Sequence, residues 1–206
     1  MSSLTDDIFS QLSGGALQQI SQQLGSGQAQ TAGAIAAALP MILGAMGRNT
    51  SQPDGADALF GALGRDHAGA GGIGDILGAV LGGQQQDRQT DGLGQLGHIF
   101  GSQLPRAQTG LANATGLGSD KAQMLMKILA PIVMAYLGKR MFGGGPQQAA
   151  SPRVLGDILG QERREVQQEG GLGGGLLGAV LDQDGDGQLG LGDLLKVGGS
   201  IMAGKR

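Results

Sequence analysis

The chain has 206 residues, of which 43 are Gly, with four Phe, one Tyr, no Trp, no Cys and a formal net charge of −3. Without cysteine there is no disulfide framework, thiolate nucleophile or Cys-based metal site, and the 14 basic against 17 acidic residues form no basic stripe of the kind nucleic acid requires. Because aromatic and β-branched residues are scarce, a β-sandwich core is disfavoured. The expected class is all-α: a compact bundle of short helices with Gly-rich connections and a C-terminal helix-loop-helix.

The opening MSSLTDDIFS carries two acids and no base, which argues against a leader peptide. Thr5 is placed to cap a first short helix, with Asp6 and Asp7 suited to its positive N-terminus. Ile8, Phe9 and Leu12 share its face. Leu17, Ile20 and Leu24 repeat at helical spacing and stop at Gly25, and Ile35, Leu39, Ile42 and Met46 mark a longer helix with Gly47 as its expected C-cap. Asp54 opens a further short helix through Leu59, Phe60 and Leu63. The apolar stretches 34–46 and 124–137 fall short of a bilayer span, and each contains a proline. No transmembrane segment is expected, and the expected location is the cytoplasm, with exposure outside it left open.

A second helical block covers residues 93–141. Its strongest element is expected to start at the N-cap Ser119 and run to Gly138. Ala122, Leu125, Met126, Leu129, Ile132, Val133, Tyr136 and Leu137 occupy one face, and Met124, Ile128, Ala130 and Met134 make the other apolar as well. A helix that is apolar all round belongs at the buried centre. ALPMILGAMGR aligns with LAPIVMAYLGKR, Pro40 on Pro131 and Gly47 on Gly138, so segments 10–65 and 93–141 read as a weak internal duplication. The expected organisation is a helical domain over 1–142, a flexible polar linker over 143–170 and a helix-loop-helix over 171–206. Short helical pieces are expected in GDILGAVLGG and around residues 154–161.

Four stretches, ALPMILGAMGRN, ADALFGALGRDHAG, GLGQLGHIFGSQ and ATGLGSDKAQMLMKILAPIVMAYLGKR, resemble the YidB-like bacterial family, a domain of unknown function (DUF937), over roughly residues 10–142. After Asp66-His67 family members tend to read DHDGS, and this chain has DHAGA. The resemblance implies a compact all-α fold and carries no activity with it.

Beyond that region stands DQDGDGQLGLGD, residues 182–193. Calcium takes six to eight oxygen ligands, and a twelve-residue EF-hand loop supplies them from positions 1, 3, 5, 7, 9 and 12 around a Gly at 6. Those positions here are Asp182, Asp184, Asp186, Gln188 through its carbonyl, Gly190 through a water, and Asp193, with Gly187 sixth and the apolar Leu189 eighth. Leu177 and Leu181 precede the loop, and Leu194, Val197 and Ile201 follow at helical spacing. Asp in place of Glu at position 12, as in dockerin-like loops, and the Gly-rich approach GLGGGLLGAVL point to one weak site, with affinity on the order of 10⁻⁵ to 10⁻³ M. The competing reading is an acidic turn that binds nothing and merely caps the helix from Leu194.

Other groups point to no chemistry. His67 beside Asp66 has no evident nucleophile, and His98 in QLGHIFG reads as a helix-surface or interface residue. ERREVQQE alternates charge as a solvated helix does. Met41, Met46, Met124, Met126 and Met134 read as core filler. The expected function is therefore a non-enzymatic calcium-binding helical protein, a binding or self-assembly module acting as a homo-oligomer or with a protein partner. The alternative is a purely structural self-assembling protein.

Overall fold

The computed structural model describes residues 3–67, 73–81, 91–143 and 150–168. Among them every regular element is a helix. In chain order these are α1 (Leu4–Leu12), α2 (Gly15–Leu24), α3 (Gln28–Asn49), α4 (Pro53–Ala62) with a π-helical turn at Leu63–His67, α5 (Ile73–Leu81), α6 (Gly92–Phe100), a 3₁₀ turn at Gly101–Gln103, α7 (Leu104–Thr115), α8 (Ser119–Phe142) and α9 (Pro152–Gln168).

Two long helices form the centre, and both are apolar on most sides. In α8 the residues Ala122, Leu125, Met126, Ile128 to Ala135, Leu137 and Gly138 are all buried, as the all-round apolar pattern requires. The same holds in α3 for Thr31, Ala34, Ile35 and residues 37–47. At 22 residues α3 is long and apolar enough to cross a membrane by length and composition, which corrects the shorter span expected from residues 34–46. Most of that stretch is buried against other helices of the fold, where a core helix sits. The remaining helices pack around this pair: α1, α2, α6, α7 and α9 on α3, and α5, α6, α7 and the π-turn on α8.

Several boundaries differ from the sequence expectation, each for a local reason. Ser3, not Thr5, caps α1, its hydroxyl accepting from the Asp6 amide at 3.0 Å. Thr5 lies inside the helix and donates its hydroxyl to Glu162 instead. Gly47 is not the end of α3, which runs to Asn49. A Cβ at Gly47 would stand 2.8 Å from the Leu159 carbonyl oxygen, so this glycine serves close packing against α9. Ser119 is the first residue of α8, capped by Gly118 at φ 80, and the helix continues through Gly138 to Phe142. Gly25, by contrast, closes α2 in the left-handed conformation (φ 57), as its position after Leu24 predicts.

The interior prolines are accommodated by packing. Pro131 cannot donate to the Lys127 carbonyl one turn back. Gly92, the first residue of α6, lies directly against that Lys127 oxygen, where any Cβ would overlap it. A helix defect in α8 thus becomes a close contact with α6.

The described part of the stretch expected as a flexible polar linker, residues 150–168, contains a docked helix. Leu155 and Leu159 of α9 are fully buried, and the helix lies along α3 and α4. ERREVQQE is not wholly solvated either. Glu162 is 3% exposed, and its carboxylate accepts from the Leu4 amide (2.8 Å), the Thr5 amide (3.0 Å) and the Thr5 hydroxyl (2.6 Å). A carboxylate at a helix N-terminus meets free amides and the positive end of the dipole, so Glu162 caps α1 from across the chain. On the opposite side, Asp7 of α1 accepts from Tyr136 at 3.2 Å and pairs with Arg140 at 3.5 Å. That pair is exposed and contributes little. Burial raises the Tyr136 hydroxyl above its ordinary pKa, outweighing the hydrogen bond from Arg140 that lowers it.

Candidate functional site: a groove between α4 and α6

Helices α4 and α6 do not pack closely on one another: α4 leans on α9 and on its own π-turn, and α6 on α8 and α3. Between them lies a groove of about 700 Å³, within the usual range for ligand sites. One wall is a stripe of α6: Asp91, Gly94, Gln95, His98 and Ile99, at the i, i+3, i+4, i+7, i+8 spacing that places residues on one helix face. The other is a stripe of α4, Gln52, Gly55, Ala58, Leu59 and Ala62, continued by Arg65, Asp66 and His67 of the π-turn. Met46 of α3 and Met134 of α8 form the floor, both almost fully buried.

Polarity is segregated along the groove. One end holds Arg65, Asp66, His67 and Asp91, the other Asn49, Gln52 and His98, and between them Gln95 is the polar residue among apolar or small ones. The Asn49 amide fixes the second end, donating to the His98 and Ile99 carbonyls at 3.1 and 3.0 Å, which satisfies the last carbonyls of α6. Asp91 fixes the first by accepting from the Gly94 amide at 2.9 Å as the N-cap of α6. The Arg65 guanidinium lies back along its own helix, 3.1 Å from where a Cβ on Gly61 would stand.

His67, followed in sequence by the glycine-rich stretch AGAGG, is 1% exposed at the end of a π-turn. Such turns widen a helix by one residue and are frequent at functional sites. The turn brings His67 against Gly138 of α8, where an added Cβ would lie 2.7 Å from the His67 Cβ and carbonyl oxygen. Its Nδ1 has no hydrogen-bond partner among the described residues. Burial lowers the His67 pKa more than the neighbouring Asp66 carboxylate raises it, so the ring is neutral near pH 7. His98 lies exposed on α6, in keeping with a surface residue, and forms part of the groove wall. Of the methionines read as core, Met41, Met46, Met126 and Met134 are buried, whereas Met124 is 41% exposed.

The α6 stripe was missed as a site because its polar members are interleaved with the apolar ones that carry the helical signal. The groove provides amide, imidazole and carboxylate groups around an apolar middle, an arrangement that binds and orients. Among the described residues no three His, Asp or Glu side chains converge as metal ligands. Asp182, Asp184, Asp186, Gln188, Gly190 and Asp193 lie outside the described residues, as does the helix-loop-helix expected over 171–206.

Comparison with known proteins places this body. No curated protein and no solved structure matches the chain. A family model described as bacterial protein of unknown function matches residues 6–140, about two-thirds of the chain, from α1 through nearly the whole of α8. The matched range contains every groove residue and ends before α9 and the acidic loop. The chain belongs to the bacterial family of unknown function DUF937.

Proposed function

We propose that the protein is a non-enzymatic helical binding module whose C-terminal loop takes one calcium ion. The observation that carries this is the loop itself: oxygen ligands at positions 1, 3, 5, 7, 9 and 12, from Asp182 to Asp193, Gly187 at the bend and Leu189 as the apolar anchor. Cytoplasmic calcium is scarce, so a weak site would fill there only if its affinity is better than the range given above; otherwise the protein would have to meet calcium outside the cytoplasm. Isothermal calorimetry on the full chain tests the reading. Millimolar calcium should release or absorb heat, and Asp182→Ala with Asp186→Ala should abolish the signal. Equal heat from the double variant, or none from either protein, would rule it out.

A second reading, structural self-assembly, is favoured by one observation. Leu93 on α6 and Met124 on α8 are 42% and 41% exposed, on helices that pack together. Sedimentation of the full chain with calcium and with chelator separates the two. A larger particle in both conditions, reduced by Leu93→Glu with Met124→Glu, supports assembly without calcium.

A further inference from the structure

We propose that the groove between α4 and α6 is the seat of this chain's own C-terminal segment, residues 194–202, docked as a helix when calcium orders the loop before it. The proposal rests on the calcium reading and adds the place where the ordered segment goes.

The segment fits in length, surface and charge. The α6 wall from Asp91 to Ile99 is about 12 Å long, and a helical face from Leu194 to Ile201 covers about 10.5 Å at 1.5 Å per residue. The Cβ positions of Gly55 and Gly94 are taken up by the Asn49 carbonyl and the Asp91 carboxylate, and the small side chains lining the groove are those of Ala58 and Ala62. They let a third helix approach to the 8–10 Å axial separation of packed helices. Leu194, Val197 and Ile201 then face a floor of Met46 and Met134, side chains flexible enough to fit an incoming surface. From Leu194 to the last residue the chain carries Lys196, Lys205 and Arg206 and no acid. The polar end of the groove presents Asp66 and Asp91, with the nearby guanidinium of Arg65 turned back over Gly61. Opposite charges at the groove end favour this occupant over an acidic one.

Reach is no obstacle. The roughly 25 residues between the end of α9 and Leu194 extend to about 80 Å, whereas a body of this size has a radius of gyration of about 15 Å. Gly198 and Gly199 weaken a free helix by about 1 kcal/mol each, so the segment gains its helix from the ordered loop on one side and the groove on the other. The result is a calcium-controlled, intramolecular occupation of this groove by a segment lying beyond the family-matched range.

The chain has no cysteine, so an introduced pair reports on one contact only. Ala58→Cys on the groove wall is combined with Val197→Cys in the full-length protein, and Gln23→Cys on exposed α2 replaces the first in a control pair. Disulfide formation is followed on non-reducing gels in about 5 mM calcium, above the weak end of the loop's range, or in chelator, with calorimetry on the same proteins. The expected result is a monomeric disulfide for the 58/197 pair that forms at least about tenfold faster with calcium than without, as docking raises the effective concentration above that of a free tether. The 23/197 control should show no such gain, and adding Asp182→Ala and Asp186→Ala should remove it. Calcium heat with equal rates for the two pairs overturns the docking and leaves the calcium site standing. No heat overturns both. A calcium-independent disulfide overturns the control by calcium, and a covalent dimer shows that a second copy, not the chain's own tail, occupies the groove.

Discussion

Three glycines set the distances between helices in this protein. Gly47 lies against the Leu159 carbonyl, Gly92 against the Lys127 carbonyl and Gly138 against His67. At each crossing the neighbour a Cβ would meet includes main chain, which cannot swing aside as a side chain can. Alanine at Gly47 or Gly138 should therefore carry a net cost of up to about 2 kcal/mol, an overpacking penalty of about 1–3 kcal/mol less the helix-propensity gain of about 1. Gly97 in α6 and Gly33 in α3 have open space around the same position. Gly97→Ala and Gly33→Ala should instead stabilise by up to about 1 kcal/mol. Urea midpoints of the four variants test the contrast, and four shifts of one sign would refute it. His67 gives a second prediction at this scale. Its folded pKa lies below the ordinary 6.5, so the unfolded chain takes up its proton first as the pH falls. The contribution of the neutral ring is present above pH 6.5 and is lost as the pH drops towards the folded value. Denaturation between pH 7.5 and 5 should show this loss, and His67→Leu should flatten that part of the curve.

Among the elements, α9 shows most clearly how far a sequence can be read. The centre of the fold was legible because α8 repeats apolar residues on every face from Ala122 to Leu137, and only burial explains such a helix. The helix around residues 154–161 was legible in the same way, from the helical spacing of Leu155, Ile158 and Leu159, but its docking was not, since the partner surface lies more than a hundred positions away on α3. Glu162 looked solvated for the same reason: a carboxylate is read as exposed until its partners, the Leu4 and Thr5 amides, are known. The groove was hidden likewise, because it exists only once α4 is held on α9 and α6 on α8 and α3. If α9 is part of the folded body, its loss should be felt throughout. Leu159→Ala should destabilise by about 2–5 kcal/mol, the usual range for a buried leucine. Glu162→Ala should cost about 1–3 kcal/mol by leaving buried amides of α1 without an acceptor. Hydrogen exchange locates the second effect: faster exchange should be confined first to the Leu4 and Thr5 amides, and an unchanged rate there would show that Glu162 is not the cap.

At the scale of the whole molecule the question is whether the body and the C-terminal loop form one thermodynamic system. A ligand stabilises only what unfolds with its site, by RT ln(1 + [L]/Kd). For a loop with Kd on the order of 10⁻⁴ M, 1 mM calcium contributes about 1.4 kcal/mol. In a chain of 206 residues that raises Tm by roughly 3–6 °C. The shift appears in the main helical transition only if the loaded segment is docked on the α3–α8 body. A tail that binds calcium while free of the groove gives calorimetric heat and leaves that transition where it was. Differential scanning calorimetry with calcium and with chelator therefore measures the coupling itself. The shift is expected in the parent chain and absent from Asp182→Ala with Asp186→Ala. It should also be reduced by Ala58→Glu, which sets a carboxylate in the apolar middle of the groove without touching the loop. A full shift in Ala58→Glu would place the coupling elsewhere on the body, and no shift in the parent despite binding heat would mean that loop and body fold independently.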